Sequence, residues 1–378
     1  MKIGLFIFRF GPSHGSVLQT YALTRTLESL GHEVTIIDRQ RPVTLHKRLM
    51  GLGAIIKRLL SLNFNFDEIR LSEFPKDLMS NINLFIDKEL RTQTLTVSRE
   101  SELKRIGKAD YDAYIVGSDQ TWRPKYVYNI YNYFLDFVPA NRNVKRLAYA
   151  ASFGTSEWEY NEEQGSKCKQ LVSLFNGVSV REDDGVGLCR EHFDVNAQHV
   201  LDPTMLLKAD DYLKVIKRAP KQESFVGYNF LDFTDEKMRI VAKVSDALGM
   251  PQKQINSMTE KPGASLQERI APSIDEWISG IANADFVIAD SFHATVFSII
   301  FHRPFITIAN ERRGLSRFTS LLEVCGLTDR LITGDTTRVE SIVATPIEWG
   351  DVDNKIRAMQ VISMAFLNKA LSDGLTKL

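Results

Sequence analysis

KIGLFIFRFGPSHGSVLQTYALTRTLESLGHEVTIID, residues 2–38, decides the fold class. Lys2 to Arg9 is rich in strand-forming residues, and Phe10 to Gly15 carries turn residues. Ser16 to Leu30 then repeats apolar groups at Val17, Leu18, Tyr21, Ala22, Leu27 and Leu30, the spacing of one helical face. Gly31 ends that helix, and Glu33 to Asp38, with Val-Thr-Ile-Ile at its centre, returns to strand. Strand, glycine-bearing loop, helix and strand make one βαβ unit, the opening of an α/β fold.

Outward from this unit, Pro42 to about Lys108 reads as a mainly helical insertion, and strands resume at Tyr111–Gly117, Tyr133–Val138, Lys145–Ala150 and Gly177–Val180. A further helix–strand pair closes at His199 to Pro203, so the first Rossmann-like domain is expected over 1–205, with the insertion at about 42–108. The alternation repeats beyond it. Strands are expected at Ser224–Phe230, Gln254–Ser257, Asp285–Ala289 and Pro304–Ile308, and helices at Asp235–Leu248, Ser273–Asn283 and His293–Phe301. This gives a second doubly wound domain over 206–350, followed by a long C-terminal helix within 351–378 that could pack back on the first domain. Ligands of such folds sit outside the carboxyl ends of the strands, so the site belongs between the two domains.

The chain has 378 residues, 44% of them hydrophobic, with 47 basic and 47 acidic side chains. That length supports more than one core, and the charge balance leaves no global field for nucleic acid or anionic lipid. Any anion site is local. Cys168, Cys189 and Cys325 form no C-x-x-C pair, which fits a reduced cytoplasmic compartment, and the apolar start, interrupted by Arg9, reads as a strand rather than a leader. Phe286 to Ala309 contains Asp290, His293, His302 and Arg303, too many ionisable groups for a bilayer span. Leu45 to Leu62, where Lys47, Arg48, Lys57 and Arg58 flank leucines and isoleucines, has the pattern of an interfacial helix; either its apolar face packs on the first domain or it makes a weak contact with the inner face of the membrane.

Several loops carry chemistry. Gly11-Pro-Ser-His14-Gly15 precedes a helix whose first amides could hold an anion, or is a tight turn that needs glycine. Ser118 and Asp119 follow a strand end, where they either serve a site or cap the next turn. Arg181, at another strand end, either grips a carboxylate or phosphate through its planar fork or forms a surface ion pair with Glu182 or Asp183. Asp290 and Ser291 end a buried-type strand, and His293 starts the next helix, facing the crevice as an acid/base group or as a structural histidine. Arg312, Arg313 and Arg317 could add positive charge to the same rim. Asp351-Val-Asp353 precedes the last helix, where acids are expected as helix-dipole partners, so no metal site is expected.

Together, HGSVLQTYALTRTLESLGHEV, YDAYIVGSDQTW, SVREDDG, VLDPTMLL, ANADFVIADSFHATVFSIIFHRPF and RFTSLLEVCGLTDRLI resemble the polysaccharide pyruvyl transferase family from residue 1 to about 333. The resemblance implies a GT-B-like frame and transfer of the enolpyruvyl unit of phosphoenolpyruvate to two hydroxyls of a sugar, leaving a pyruvate ketal and phosphate. It implies His293 as acid/base histidine, Arg181 as the arginine that holds the donor, and Asp119 as an acid at the first domain's rim. No cofactor is implied beyond the donor substrate, and a lipid carrier could present the acceptor. Ketal-forming relatives often have Arg-Leu-His where this chain has Ser291-Phe-His293. Arg312, Arg313 or Arg317 could supply the missing charge. A nucleotide-sugar glycosyltransferase and a non-catalytic binder of sugar or lipid carrier remain the alternatives on such a frame.

Overall fold

The computed structural model describes residues 1–41, 76–221, 223–258, 263–309, 314–334 and 336–372. Leu45 to Leu62, Arg312 and Arg313 lie outside the described residues.

β1 (Lys2–Ile7), β2 (Glu33–Arg39), β3 (Thr94–Val97), β4 (Ala113–Val116), β5 (Lys145–Ala151), β6 (Gly177–Val180) and β7 (Gln198–His199) form one parallel sheet in the order β3-β2-β1-β4-β5-β6-β7. Its central strands are apolar on both faces. All of β5 is buried, and all of β1 except Lys2, as expected where helices cover a sheet on both sides. The period-two alternation divides β1 between two cores, Ile3, Leu5 and Ile7 entering one and Phe6 the other.

β8 (Val226–Asn229), β9 (Gln252–Gln254), β10 (Phe286–Ala289), β11 (Phe305–Ile308) and β12 (Leu331–Ile332) form a second parallel sheet, ordered β12-β11-β10-β8-β9. Strand order reverses between β1 and β4 in the first sheet and between β8 and β10 in the second. The loops leaving these four strands therefore open the two crevices where ligands of such sheets bind.

Five helices matter for the site and its frame: α1 (His14–Ser29), α2 (Ile274–Asn283), α3 (Phe292–Ile300), α4 (Ser316–Cys325) and α5 (Trp349–Ser372). Ser13 caps α1, its Oγ accepting from Ser16 N at 3.4 Å, and Gly31 follows the helix end at φ +83°. α2 starts with a reciprocal capping box: Ser273 Oγ accepts from Glu276 N at 3.1 Å, and the Glu276 carboxylate accepts from Ser273 N at 2.8 Å. No helix among the described residues is long and apolar enough to cross a membrane.

Three expectations are corrected, the first a displacement: the strand read at Gln254–Ser257 lies at Gln252–Gln254. Thr94–Val97, inside the stretch read as helical insertion, is strand β3 at the edge of the first sheet. Tyr133–Val138, read as a strand, is instead the end of a 3₁₀ turn over Ile130–Phe134 and the loop after it. Asn129 caps that turn, Leu135 takes a left-handed φ of +58°, and the Tyr133 carbonyl accepts from the Trp122 indole at 3.0 Å rather than from a neighbouring strand. Its aromatic residues fill a core, Phe134 stacked on Trp122 and Tyr133 and Phe137 against Phe6, which gives them strand-like composition without a ladder.

Candidate active site

A cleft of about 630 Å³ lies between the two switch points. Gly11 to Ser16 and Asp119 line it from the first sheet's side; Asn229, Leu231, Asp232 and Asp290 to His293 line it from the second, with Arg317 of α4. Of the residues singled out by sequence, Gly11, His14, Gly15, Asp119, Asp290, Ser291, His293 and Arg317 thus meet in one cleft.

His293 stands in the first turn of α3. Its ring lies against the start of α1 in the space a side chain on Gly15 would take: a Cβ there would sit 2.1 Å from Nδ1 and 2.2 Å from Cγ. The glycine of this loop therefore admits the histidine ring. Nε2 points the other way, 3.6 Å from Asp202 Oδ2, buried and without a hydrogen-bond partner.

Asp202 follows β7 and was legible in the sequence only as part of a domain-closing His199-to-Pro203 segment. Its Oδ1 accepts from Thr204 N at 3.0 Å and from the Thr204 hydroxyl at 2.6 Å. Its Oδ2 accepts from Arg181 Nη1 at 2.7 Å and from Gln19 Nε2 at 2.5 Å. Burial alone would raise the carboxyl's pKa, yet His293, Arg181 and Thr204 outweigh burial and hold it well below the usual carboxylate range.

Arg181 does not line the cleft. It is buried behind the wall, where Nε donates to Glu182 at 3.3 Å, Nη1 reaches Asp202, and Nη2 lies 3.8 Å from Asp119 Oδ1 without a hydrogen bond. The pair with Glu182 exists, but as a buried contact rather than a surface one. Burial works to lower the arginine's pKa, and Glu182, Asp202 and Asp119 together raise it above its ordinary value. The guanidinium also stacks on Phe292, 4.4 Å from the ring centroid. Arg317 approaches the same ring at 5.7 Å, and burial, then the Arg181 charge, push its pKa down to about 10. Two arginines and three carboxylates are thus concentrated behind and beside His293.

The backbone here is strained. Asp119 sits at φ +77° and Ala150 at +51°, and the register of β5 with β6 shifts between Ala148 and Ala151. Such conformations cost on the order of 1–3 kcal/mol each and persist where packing enforces them. The irregularity leads into Ser152, whose amide donates to the Asp119 carbonyl at 3.0 Å and whose hydroxyl donates to Glu182 at 2.5 Å.

The remaining candidates separate. Ser118 lies beneath the cleft and accepts from Gln19 at 2.9 Å. Asp290 accepts from Leu231 N at 2.6 Å, Asp232 N at 3.1 Å and Lys237 Nζ at 2.5 Å, so its carboxylate orders the loop after β8; burial raises its pKa against the pull of Lys237. His14 Nε2–H donates across the cleft to the Pro272 carbonyl at 2.8 Å, and its ring stacks on Trp277 with centroids 5.2 Å apart. Burial drives the His14 pKa down to about 4, against the Pro272 bond and Glu276. Asp353 accepts from His302 at 2.9 Å. Sequence reasoning missed Asp202, Gln19, Phe292 and the basic lining residues Arg9, Arg41 and Lys125. Only Asp202 had a signal, an Asp-Pro step directly after a strand near the domain boundary.

A family model described as polysaccharide pyruvyl transferase matches residues 14–312. No curated protein matches the sequence. Among solved structures, Arabidopsis thaliana UGT89C1 complexed with UDP-L-rhamnose is similar at TM-score 0.54 and 9% identity, over 99% of each chain. UDP-GlcNAc 2-epimerase from Methanocaldococcus jannaschii is similar at TM-score 0.52 and 12% identity, over 96% of this chain and 100% of that one. The glycotransferase of kitacinnamycin matches at TM-score 0.51 and 12% identity, over 98% and 99%. At these identities the likeness is one of fold: two Rossmann-like domains in a GT-B-like arrangement.

Proposed function

The chain belongs to the polysaccharide pyruvyl transferase family, and from that premise we propose that it transfers the enolpyruvyl group of phosphoenolpyruvate to a sugar diol as a pyruvate ketal in surface or exopolysaccharide biosynthesis. The observation that carries this reading is the meeting of His293, Arg317 and Asp119 in one cleft, where the switch points of both sheets face each other.

A histidine is suited to give and take a proton near neutrality, and buried guanidinium groups hold carboxylate or phosphate by preorganised, charge-assisted bonds. In this reading Arg317 meets the donor's anionic end, taking the place of the arginine absent before His293, while Arg181, behind the cleft wall, holds Asp202 and adds positive charge to the site. His293 protonates the donor's methylene carbon, leaving positive charge on the carbon that bears the phosphate. A sugar hydroxyl adds there and yields its proton to Asp119. The second hydroxyl then displaces phosphate and closes the ketal. One hydroxyl proton ends on the new methyl group by way of the protein, and the other leaves with phosphate. The acceptor fills the rest of the cleft, between Tyr126 on one side and Trp277 on the other.

Calorimetry with phosphoenolpyruvate and with UDP-sugars, followed by phosphate release over a panel of sugar acceptors, tests the assignment. Saturable phosphoenolpyruvate binding and phosphate release are expected, with His293→Gln lowering turnover by about 10²-fold or more while donor binding changes little. Binding of a UDP-sugar with none of phosphoenolpyruvate would falsify the pyruvyl-transfer reading in favour of a glycosyltransferase.

A further inference from the structure

We propose that Asp202 is the positioning residue of His293, and that the two complete their hydrogen bond when the domains close. Asp202 belongs to the first sheet's domain, directly after β7, whereas His293 rides on α3 of the second. The carboxylate has no freedom to search for a partner: Thr204 holds Oδ1 through two bonds, and Arg181 and Gln19 hold Oδ2. The imidazole Nε2 is buried, lacks a hydrogen bond and faces Oδ2 from 3.6 Å. A buried polar nitrogen aimed at a fixed acceptor, just beyond bonding distance, is completed by a closing movement of less than an ångström.

The bond sets which nitrogen does chemistry. With Nε2–H donated to Asp202, the neutral ring carries its proton on Nε2, and Nδ1, turned towards Gly15 of the cleft lining, is left to exchange a proton with substrate. Among the described residues, Asp202 with Arg181 behind it, and Arg317 beside Phe292, bring charge to the ring's surroundings. This inference rests on the reading of His293 as the acid/base group.

The test reads the ring nitrogens of His293 by NMR of the histidine-labelled full chain, assigned by loss of the signal in His293→Gln. The wild-type protein is expected to show a protonated Nε2 and an unprotonated Nδ1 in the neutral form, most clearly with phosphoenolpyruvate bound. Asp202→Asn should lose that preference and lower kcat by about 10²-fold, with donor affinity changed less than threefold. A wild-type ring protonated on Nδ1 overturns the proposal without any variant, so a failure of Asp202→Asn to fold leaves it testable. Unchanged nitrogen shifts in a folded Asp202→Asn protein overturn it equally. If the tautomer shift occurs but phosphoenolpyruvate neither binds nor turns over, the positioning stands and the pyruvyl-transfer reading fails.

Discussion

Gly15 has no side chain because the His293 ring occupies that space. Gly15→Ala forces the ring or the helix start aside, an overpacking that costs about 1–3 kcal/mol and displaces the proposed acid from its place. Turnover and melting temperature should therefore fall together. Gly187, exposed in the helix Asp183–Phe193 with nothing near its Cβ position, provides the control. Gly187→Ala should leave turnover intact and stabilise by roughly 0.5–1 kcal/mol, because alanine loses less backbone freedom in a helix. Equal behaviour of the two variants in unfolding and kinetic assays would show that the Gly15–His293 contact does not matter. The sequence named both residues but not their contact, since residues 14–15 and 293 meet only when two sheets face each other.

α5 shows how an element reaches beyond its own domain. It begins beside the second sheet, where His302 bonds to Asp353 and stacks on Trp349 at 4.8 Å, and it ends on β5 and β6 of the first. Lys145 Nζ donates to the last-turn carbonyls of Ala370 and Leu371 at 3.3 and 2.7 Å, a cation placed where the helix dipole favours one. Gly177 leaves room for Phe366 and Ala370, and Ser363 Oγ accepts from Leu201 N at 3.0 Å. The buried Leu367 fills this seam, so Leu367→Ala should lower unfolding free energy by about 2–5 kcal/mol in denaturant titration. A loss under about 0.5 kcal/mol, the range of an ordinary surface substitution, would mean that the helix contributes little to holding the frame.

Across the whole molecule, His14 joins one domain to the other through the Pro272 carbonyl and the Trp277 ring. Its folded pKa of about 4 lies below the ordinary histidine value of 6.5. As pH falls below about 6.5 the unfolded chain takes up the proton first, so stability declines through that window to about pH 4 and this group adds no further loss below it. The drop attributable to His14 is roughly 3 kcal/mol over the window. His14→Gln retains a donor for Pro272 without titrating, so the stability difference between wild type and variant should shift against the wild type by that amount between neutral pH and pH 4. A difference independent of pH would place His14 outside the buried interface.

The alternation of strands and helices was legible because periodicity and glycine punctuation are local properties: residues 2–38 alone announce a βαβ unit, and the second half repeats the pattern. Local signals failed where composition and pairing diverge, at Tyr133–Val138, whose aromatics pack into a core against Trp122 and Phe6 instead of joining a ladder, and at Thr94–Val97, a short edge strand within helical surroundings. The site was legible as a set of polar residues at strand ends, His293, Asp119 and Arg317 among them. Tertiary structure alone decided their arrangement. It turned Arg181 inward onto Asp202 and Glu182, used Asp290 to order a loop, and brought Asp202 to His293 across the domain interface. Charge pairing and burial depend on distances between residues far apart in the chain, and no local pattern encodes those distances.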